Sequence, residues 1–261
     1  MKFIKYELRH CPVNPDYGYA NNIVIPKIYT EIVSIGGGST IDVGKWVARK
    51  YGLKHTAIPT TAGTGAEVTK YCVLTVHGKK RTFTDEAFIP DDFELRPDLV
   101  VTLPKLQTIS TGMDALSQAF EAYWSKYATS ESKVYSASAI DTILQWLPIC
   151  VKEPTNLEAR YRMLIAANLA GRAINIARTN ICHAISYPLT EQYDVPHGIA
   201  CAIPLKYFVK KFLGIDLTNL YKEIDFPKYK YDKEVIADIA FENDKVMDCP
   251  NINKEDIIKS L

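Results

Sequence analysis

Apolar and polar positions change rhythm twice along this chain. The segment EIVSIGGGSTIDVGKWVARKYG opens with a β-rich run, Ile32 to Ile35, and breaks at three glycines. It then carries apolar residues at helical spacing, which predicts strand, tight turn and helix. HTAIPTTAGTGAE repeats the logic with a short strand ending at Pro59 and a Thr/Gly-rich loop. YCVLTV and DLVVTL predict two more strands. After Pro104 the apolar residues recur at three and four, as in TGMDALSQAFEAYWS and SKVYSASAIDTILQWL, which predicts long helices from Ser110 to about Leu147. ARYRMLIAANLAGRAINIA and much of the stretch from Cys182 onward follow the same period. The tail, DKEVIADIAFENDKVMDCPNINKEDIIKSL, predicts two amphipathic helices, with Asn253 placed to cap the second. The outline is an α/β half, residues 1–105, followed by an all-helical half, residues 106–261. A ligand is expected in the cleft between them.

Composition narrows the partners. The 261 residues suffice for a sizeable core. With 47% hydrophobic residues, 23% charged residues and a net charge of +1, neither nucleic acid nor an anionic membrane is favoured. No apolar run reaches the ~18–20 residues that span a bilayer. MKFIKYELRHCPVNPDYGYANN lacks the apolar core and cleavage site of a signal peptide, so the cytoplasm is the expected compartment. The six cysteines, among them Cys182 and Cys201, show no CxxC spacing and read as reduced, mostly buried thiols.

Four features carry chemistry, and each also has a plain structural reading. GGGS between strand and helix exposes backbone N–H groups and a helix N-terminus, which favour a phosphate, although a tight βα turn needs the same glycines. Asp42 and Lys45, one turn into that helix, can brace the loop as an i,i+3 pair. TTAGTG can be a structural loop, yet its small hydroxylated side chains suit a nicotinamide or ribose. Asp114, at the head of an apolar helix, can be a cap; His183 can be a core histidine; His197, between Pro196 and Gly198, can be a turn residue. Taken singly, each plain reading wins. One carboxylate and two imidazoles in this order, downstream of a phosphate cradle, point instead to a nucleotide-dependent metalloenzyme. Gln118 follows Asp114 by one turn, where a fourth ligand is expected, although an amide oxygen suits a borderline metal poorly. Tyr187, one turn after His183, can carry a proton or be simply a buried tyrosine.

GGGSTIDVGK, PTTAGTGAE, GMDALSQAFE and HAISYPLTEQYDVPHG together resemble the iron-containing (group III) alcohol dehydrogenase family, relatives of glycerol dehydrogenases and dehydroquinate synthases. The resemblance implies a shortened Rossmann-like cofactor half, a helical half, and a divalent metal, iron or zinc, in the intervening cleft. By this resemblance Asp114, His183 and His197 are metal ligands. Gly37, Gly38 and Ser39, with Asp42 behind them, cradle the pyrophosphate of NAD or NADP. Thr60, Thr61 and Thr64 line the nicotinamide side. Gln118 stands where the family has a metal-binding histidine, and Tyr187 where many members have a histidine near the nicotinamide. ALSQAFEAYWS paired with HAISYPLT looks most like the phosphonoacetaldehyde reductase branch, in which Gln118 would be the fourth metal position and Tyr187 the catalytic proton carrier. Full members are longer, mostly ahead of GGGS.

The expectation is therefore a metal-dependent, NAD(P)-linked alcohol dehydrogenase or aldehyde reductase acting on a small aldehyde, phosphonoacetaldehyde being one candidate. A polyol or glycerol dehydrogenase-like enzyme and a degenerate, non-catalytic homologue are the alternatives. A shortened sheet leaves an exposed edge, so a second subunit of a homo-oligomer, or MKFIKYEL, is expected to cover it.

Overall fold

The protein is described by a computed structural model over residues 5–9 and 11–261. Its first part runs β1 (Lys5–Leu8), α1 (Tyr17–Asn22), β2 (Glu31–Gly36), α2 (Gly38–Tyr51), β3 (Lys54–Pro59), β4 (Tyr71–Val76), β5 (Lys79–Thr84) and β6 (Asp92–Phe93). Four strands form a parallel sheet in the order β1-β2-β3-β6, while β4 and β5 make a separate antiparallel hairpin. That hairpin turns at His77 and Gly78, both at positive φ, the two-residue geometry that suits the twist of the flanking strands. β1 pairs with β2 in register Lys5 to Glu31 through Leu8 to Ser34, so KYEL covers the sheet edge as expected. The remainder of that expectation, Met1–Ile4, lies outside the described residues.

Helix α2 lies close on the sheet because Gly44 has no side chain. A Cβ there would stand 2.7 Å from the His55 Nε2 and 3.1 Å from the Ser34 Cβ. Ser34 and His55 in turn share a buried hydrogen bond of 2.8 Å. The Asp42–Lys45 pair forms, at 3.6 Å. It faces inward: the buried Lys45 Nζ donates to the Tyr71 carbonyl at 2.6 Å and to Thr69 Oγ1 at 3.2 Å. Asp42 accepts the Val73 N–H at 3.0 Å. The pair thus ties α2 to β4. Burial pushes the Asp42 carboxyl up to about 6 against the opposing pull of Lys45.

One expected strand is absent. DLVVTL instead forms successive i→i+3 turns: Leu99 N–H to Arg96, Val100 N–H to Pro97 and Leu103 N–H to Val100. Pro97 opens this segment, and the local bonds satisfy the backbone without a strand partner.

From Lys105 the chain is helical: α3 (Lys105–Trp124), α4 (Ser130–Lys152), α5 (Leu157–Ala177), α6 (Ile181–Tyr193), α7 (His197–Leu213), α8 (Thr218–Glu223), α9 (Lys233–Phe241) and α10 (Lys254–Ser260). α9 and α10 are the two tail helices, and Asn253 closes a capping box with Asp256 at the start of α10. α3 is buried along most of its length, so its apolar residues surround it rather than forming one stripe. Met113, Leu116 and Phe120 lie in one continuous core with Ile143, Leu147, Ile185 and Phe208. Among the described residues, α4 is the one helix long and apolar enough to cross a membrane by length and composition. Its Ile140, Ile143 and Leu147 pack into this core.

The two parts meet on the Thr/Gly loop. A Cβ on Gly65 would stand 2.6 Å from the Gly171 Cα of α5, and one on Gly63 2.9 Å from the Thr111 Cβ of α3. Asn168 donates to Glu67 at 3.0 Å, and the Lys70 N–H donates to Asn175 at 2.9 Å. Backbone touches backbone here, which only glycine permits.

Candidate metal and cofactor site

Asp114, in the middle of α3, is the hub. Three residues before it, Thr111 carries the contact with Gly63, so the Thr/Gly loop and Asp114 occupy adjoining turns of α3. Asn180 begins α6 by accepting the Ile181 N–H, which sets His183 in the first turn. His197 is the first residue of α7, behind Pro196. His183 Nε2 lies 3.4 Å and His197 Nε2 3.9 Å from the same oxygen, Asp114 Oδ1. That oxygen is buried and accepts no hydrogen bond. The imidazole centroids are 5.5 Å apart. A fourth donor completes the group: Cys201, one turn after His197, with Sγ 3.7 Å from His197 Nε2. One ligand atom from each of the four lies within 4.8 Å of all the others.

Both imidazoles are aimed from behind. His183 Nδ1 is bonded to Glu121 Oε2, which leaves Nε2 turned to Asp114. The other oxygen of Glu121 accepts the backbone N–H groups of Asn180 at 3.1 Å, Cys182 at 2.6 Å and His183 at 3.2 Å. One fully buried carboxylate therefore caps α6 and sets the ring of its histidine. Ser186 Oγ sits 3.4 Å from His197 Nδ1.

The charges are coupled. Burial alone would raise the Asp114 carboxyl, but His183 and His197 outweigh it and hold it below the usual carboxylate range. Burial opposes charge on His183; Cys201, Glu121 and Asp114 reverse that and raise it well above the ordinary imidazole value. Burial likewise raises the Cys201 thiol, and the two histidines bring it down to about 7. An anionic hub that holds a proton on His183 is a cation site in outline, since a divalent ion would replace that proton.

Gln118 is buried beside Asp114 and helps to lower its carboxyl, while its own Oε1 accepts no hydrogen bond. Two orphaned buried oxygens, Asp114 Oδ1 and Gln118 Oε1, on adjacent turns are the feature a metal ion would satisfy. Tyr187 is partly buried, with Lys245 Nζ 5.2 Å over its ring. Lys245 is held by Thr179 Oγ1 at 2.8 Å. Burial opposes its charge, but Tyr187, Glu121 and Cys201 more than restore it, so it is a firm cation beside the cluster.

The two small-residue loops come together as well. A Cβ on Gly38 would stand 2.7 Å from Thr64 Cγ2, and one on Gly37 3.4 Å from Thr61 Cγ2. Gly37 is the N-cap of α2 and has no side chain to occupy that helix end. Thr60 donates its N–H to Gly36 at 2.9 Å, and Thr64 Oγ1 accepts the Ala66 N–H at 3.3 Å. Ser39 Oγ accepts the Asn14 N–H at 3.3 Å. Asp42 points elsewhere, to Val73 and Lys45.

Two family models match, one described as iron-containing alcohol dehydrogenase over residues 27–96 and one as the C-terminal part of the Fe-containing alcohol dehydrogenase family over residues 108–224. The chain belongs to the iron-containing alcohol dehydrogenase family. Enzymes of this family are oxidoreductases acting on CH–OH groups, with NAD(P) and a divalent metal as cofactors. Their fold appears here as the small parallel sheet followed by the helical part. The chain is 38% identical over 186 residues to the 1-propanol dehydrogenase of Citrobacter freundii, a match covering 68% of this chain and 50% of that protein. It is 38% identical over 156 residues to the phosphonoacetaldehyde reductase of Streptomyces viridochromogenes, covering 59% and 39%. The solved sulfoacetaldehyde reductase of Bifidobacterium kashiwanohense in complex with NAD+ superposes with a TM-score of 0.86 at 29% identity, covering 95% of this chain and 80% of that one. The chain spans about half the length of the curated relatives that head the matches.

Within this family frame, sequence reasoning missed three residues. Glu121 follows Asp114 and Gln118 at i+7 and i+3, so helical spacing marks it on their face. Cys201 follows His197 at i+4, a spacing that joins two donors on one helix. Lys245 sits in a 3-10 turn far along the chain, and no local pattern points to it.

Proposed function

We propose that the chain is an NAD(P)-dependent, metal-assisted reductase of a small aldehyde that carries an anionic group, such as a phosphonate or sulfonate. The convergence of Asp114, His183 and His197 beside the paired Gly37–Gly38 and Thr61–Thr64 loops carries this reading. A divalent ion in that cluster supplies polarisation of the aldehyde oxygen, and the nicotinamide nucleotide supplies the hydride.

The residues divide the remaining work. Glu121 holds His183 in the tautomer that presents Nε2, and Ser186 steadies His197. Gly37, Gly38 and Ser39 at the start of α2 receive the pyrophosphate, where the helix dipole and free backbone N–H groups favour negative charge. Thr60, Thr61 and Thr64 line the nicotinamide side, and Asp42 keeps α2 in place from behind. Gln118 keeps a neutral amide oxygen without a hydrogen-bond partner beside the cluster. Tyr187 hands the proton to the developing alkoxide. Lys245 gives the anionic tail of the substrate its counter-charge, the Thr179 hydroxyl that it bonds being neutral. The names of two relatives, phosphonoacetaldehyde reductase and sulfoacetaldehyde reductase, agree with such a tail.

The test is a steady-state comparison of sulfoacetaldehyde, phosphonoacetaldehyde and propanal with NADH and NADPH. Lys245→Gln should raise KM for the two anionic aldehydes by about ten-fold or more, since a charge-assisted bond contributes about 1.5–3 kcal/mol, and should leave propanal little changed. Equal effects on all three substrates would remove Lys245 from anion recognition. Failure to bind either nucleotide at millimolar concentration would sink the reductase reading in favour of a non-catalytic homologue.

A further inference from the structure

The family-type ligand set is incomplete here, because Gln118 provides an amide where an imidazole is expected. Cys201 lies beside the gap. Four of the buried cysteines, Cys72, Cys150, Cys182 and Cys249, sit inside apolar core clusters. Cys201 is equally buried, yet it belongs to none of them. Its neighbours on α7, Ala200 and Ala202, do pack in the core, so the Cys201 side chain alone turns toward the polar cluster.

The spacing fits coordination. With metal–nitrogen or metal–oxygen bonds of ~2.0–2.2 Å and a metal–sulfur bond of ~2.3 Å, a tetrahedral ion separates its ligand atoms by roughly 3.3–3.6 Å. The observed separations are 3.4 Å for His183 Nε2 to Asp114, 3.9 Å for His197 Nε2 to Asp114 and 3.7 Å for Cys201 Sγ to His197 Nε2. The remaining pairs lie within 4.8 Å, which rotations about χ1 and χ2 would close. His197 and Cys201, at i and i+4, present both donors from one side of α7.

We propose that Cys201 is a metal ligand of this chain, its thiolate taking up the coordination that an imidazole at position 118 would otherwise supply. This rests on the metal-site reading above. On binding, the thiol gives its proton to solvent as the sulfur–metal bond forms, and Asp114 with Cys201 balances the two positive charges of the ion. A soft anionic donor in place of a neutral nitrogen shifts preference toward zinc or cobalt and away from iron(II).

The test is the absorption spectrum of the cobalt(II)-loaded, full-length protein. A thiolate ligand produces a sulfur-to-cobalt charge-transfer band in the near ultraviolet that oxygen and nitrogen donors do not. Wild-type protein and Cys182→Ser should show the band; Cys201→Ser and Cys201→Ala should lose it. Chelator competition should show zinc held at least ten-fold less tightly by Cys201→Ser, with far-ultraviolet circular dichroism verifying that the apo-protein remains helical. Cobalt binding without the band in wild type, or a band that survives in Cys201→Ser, overturns the assignment and leaves the three-ligand site intact. Failure to take up either ion overturns both. Because the wild-type spectrum alone can refute the idea, a poorly folding variant does not protect it.

Discussion

Gly198 is the point at which packing and chemistry meet most directly. It follows His197 at the start of α7 and faces the backbone of α3. A Cβ at this position would overlap the Ser110 carbonyl oxygen and stand 2.6 Å from the Ser110 carbonyl carbon and 3.0 Å from the Asp114 Cβ. Carbon atoms in contact prefer ~3.5–4.0 Å and the Ser110 carbonyl oxygen is nearer still, so Gly198→Ala must drive the two helices apart by more than about 1 Å. The obstacle is main chain, which cannot swing away as a flexible side chain would. Overpacking of this kind costs ~1–3 kcal/mol. Helix propensity alone predicts the opposite sign, a gain of up to ~1 kcal/mol for alanine over glycine. The sign of the change therefore decides between local propensity and tertiary contact. The same separation moves His197 away from Asp114, and metal sites tolerate only about ±0.2 Å in their ligand distances. Urea unfolding of the apo-protein and chelator competition for zinc would measure the two effects separately. We expect a loss of about 1–3 kcal/mol and at least a ten-fold weaker zinc affinity. Stability within about 0.5 kcal/mol of wild type, together with unchanged zinc affinity, would refute the reasoning.

Further expectations concern residues around the same framework. Glu121→Gln should weaken zinc binding by about 10–100-fold, because His183 loses the carboxylate that orients it; an unchanged affinity would reduce Glu121 to a helix cap. Gln118→His should tighten zinc binding, and no change in the chelator titration would remove position 118 from contact with the ion. His55 is a separate stability device: burial, aided by Lys45, pushes its pKa down to about 3. With an unfolded value near 6.5, the unfolded chain binds the extra proton, so stability is full above pH ~6.5 and falls on acidification, by roughly 2 kcal/mol at pH ~5. His55→Gln should lose that slope between pH ~7 and ~5 in urea titrations, and an identical slope in the variant would refute it.

Much of the fold was written locally. The β-branched run before three glycines, followed by apolar residues at helical spacing, is enough for β2, the Gly37 turn and α2. Asn253 at its capping position marked the start of α10, and MKFIKYEL was one of two candidates for the edge of β2, with which its KYEL pairs. DLVVTL misled because its apolar residues match a strand, whereas Pro97 and local turns leave it without a neighbour. Of the site, the histidines and Asp114 were legible because each stands in a distinctive local motif.

Cys201 and Glu121 were hidden for a different reason. Read along the chain, one is another buried thiol and the other another carboxylate on a helix. Local pattern fixes which face of a helix is apolar and where it begins, since those depend on residues a few positions apart. Which polar groups share that face's far end depends on how α3, α6 and α7 cross. The crossing is set by contacts between residues such as Gly198 and Ser110, separated by most of the helical part. Sequence alone determined the strand–turn–helix elements, the caps and the order of the Asp114, His183 and His197 motifs. Only the tertiary structure brought Asp114, His183, His197 and Cys201 to one point and set Glu121 behind them, because close approach of backbones is a property of packed pairs, not of any single segment.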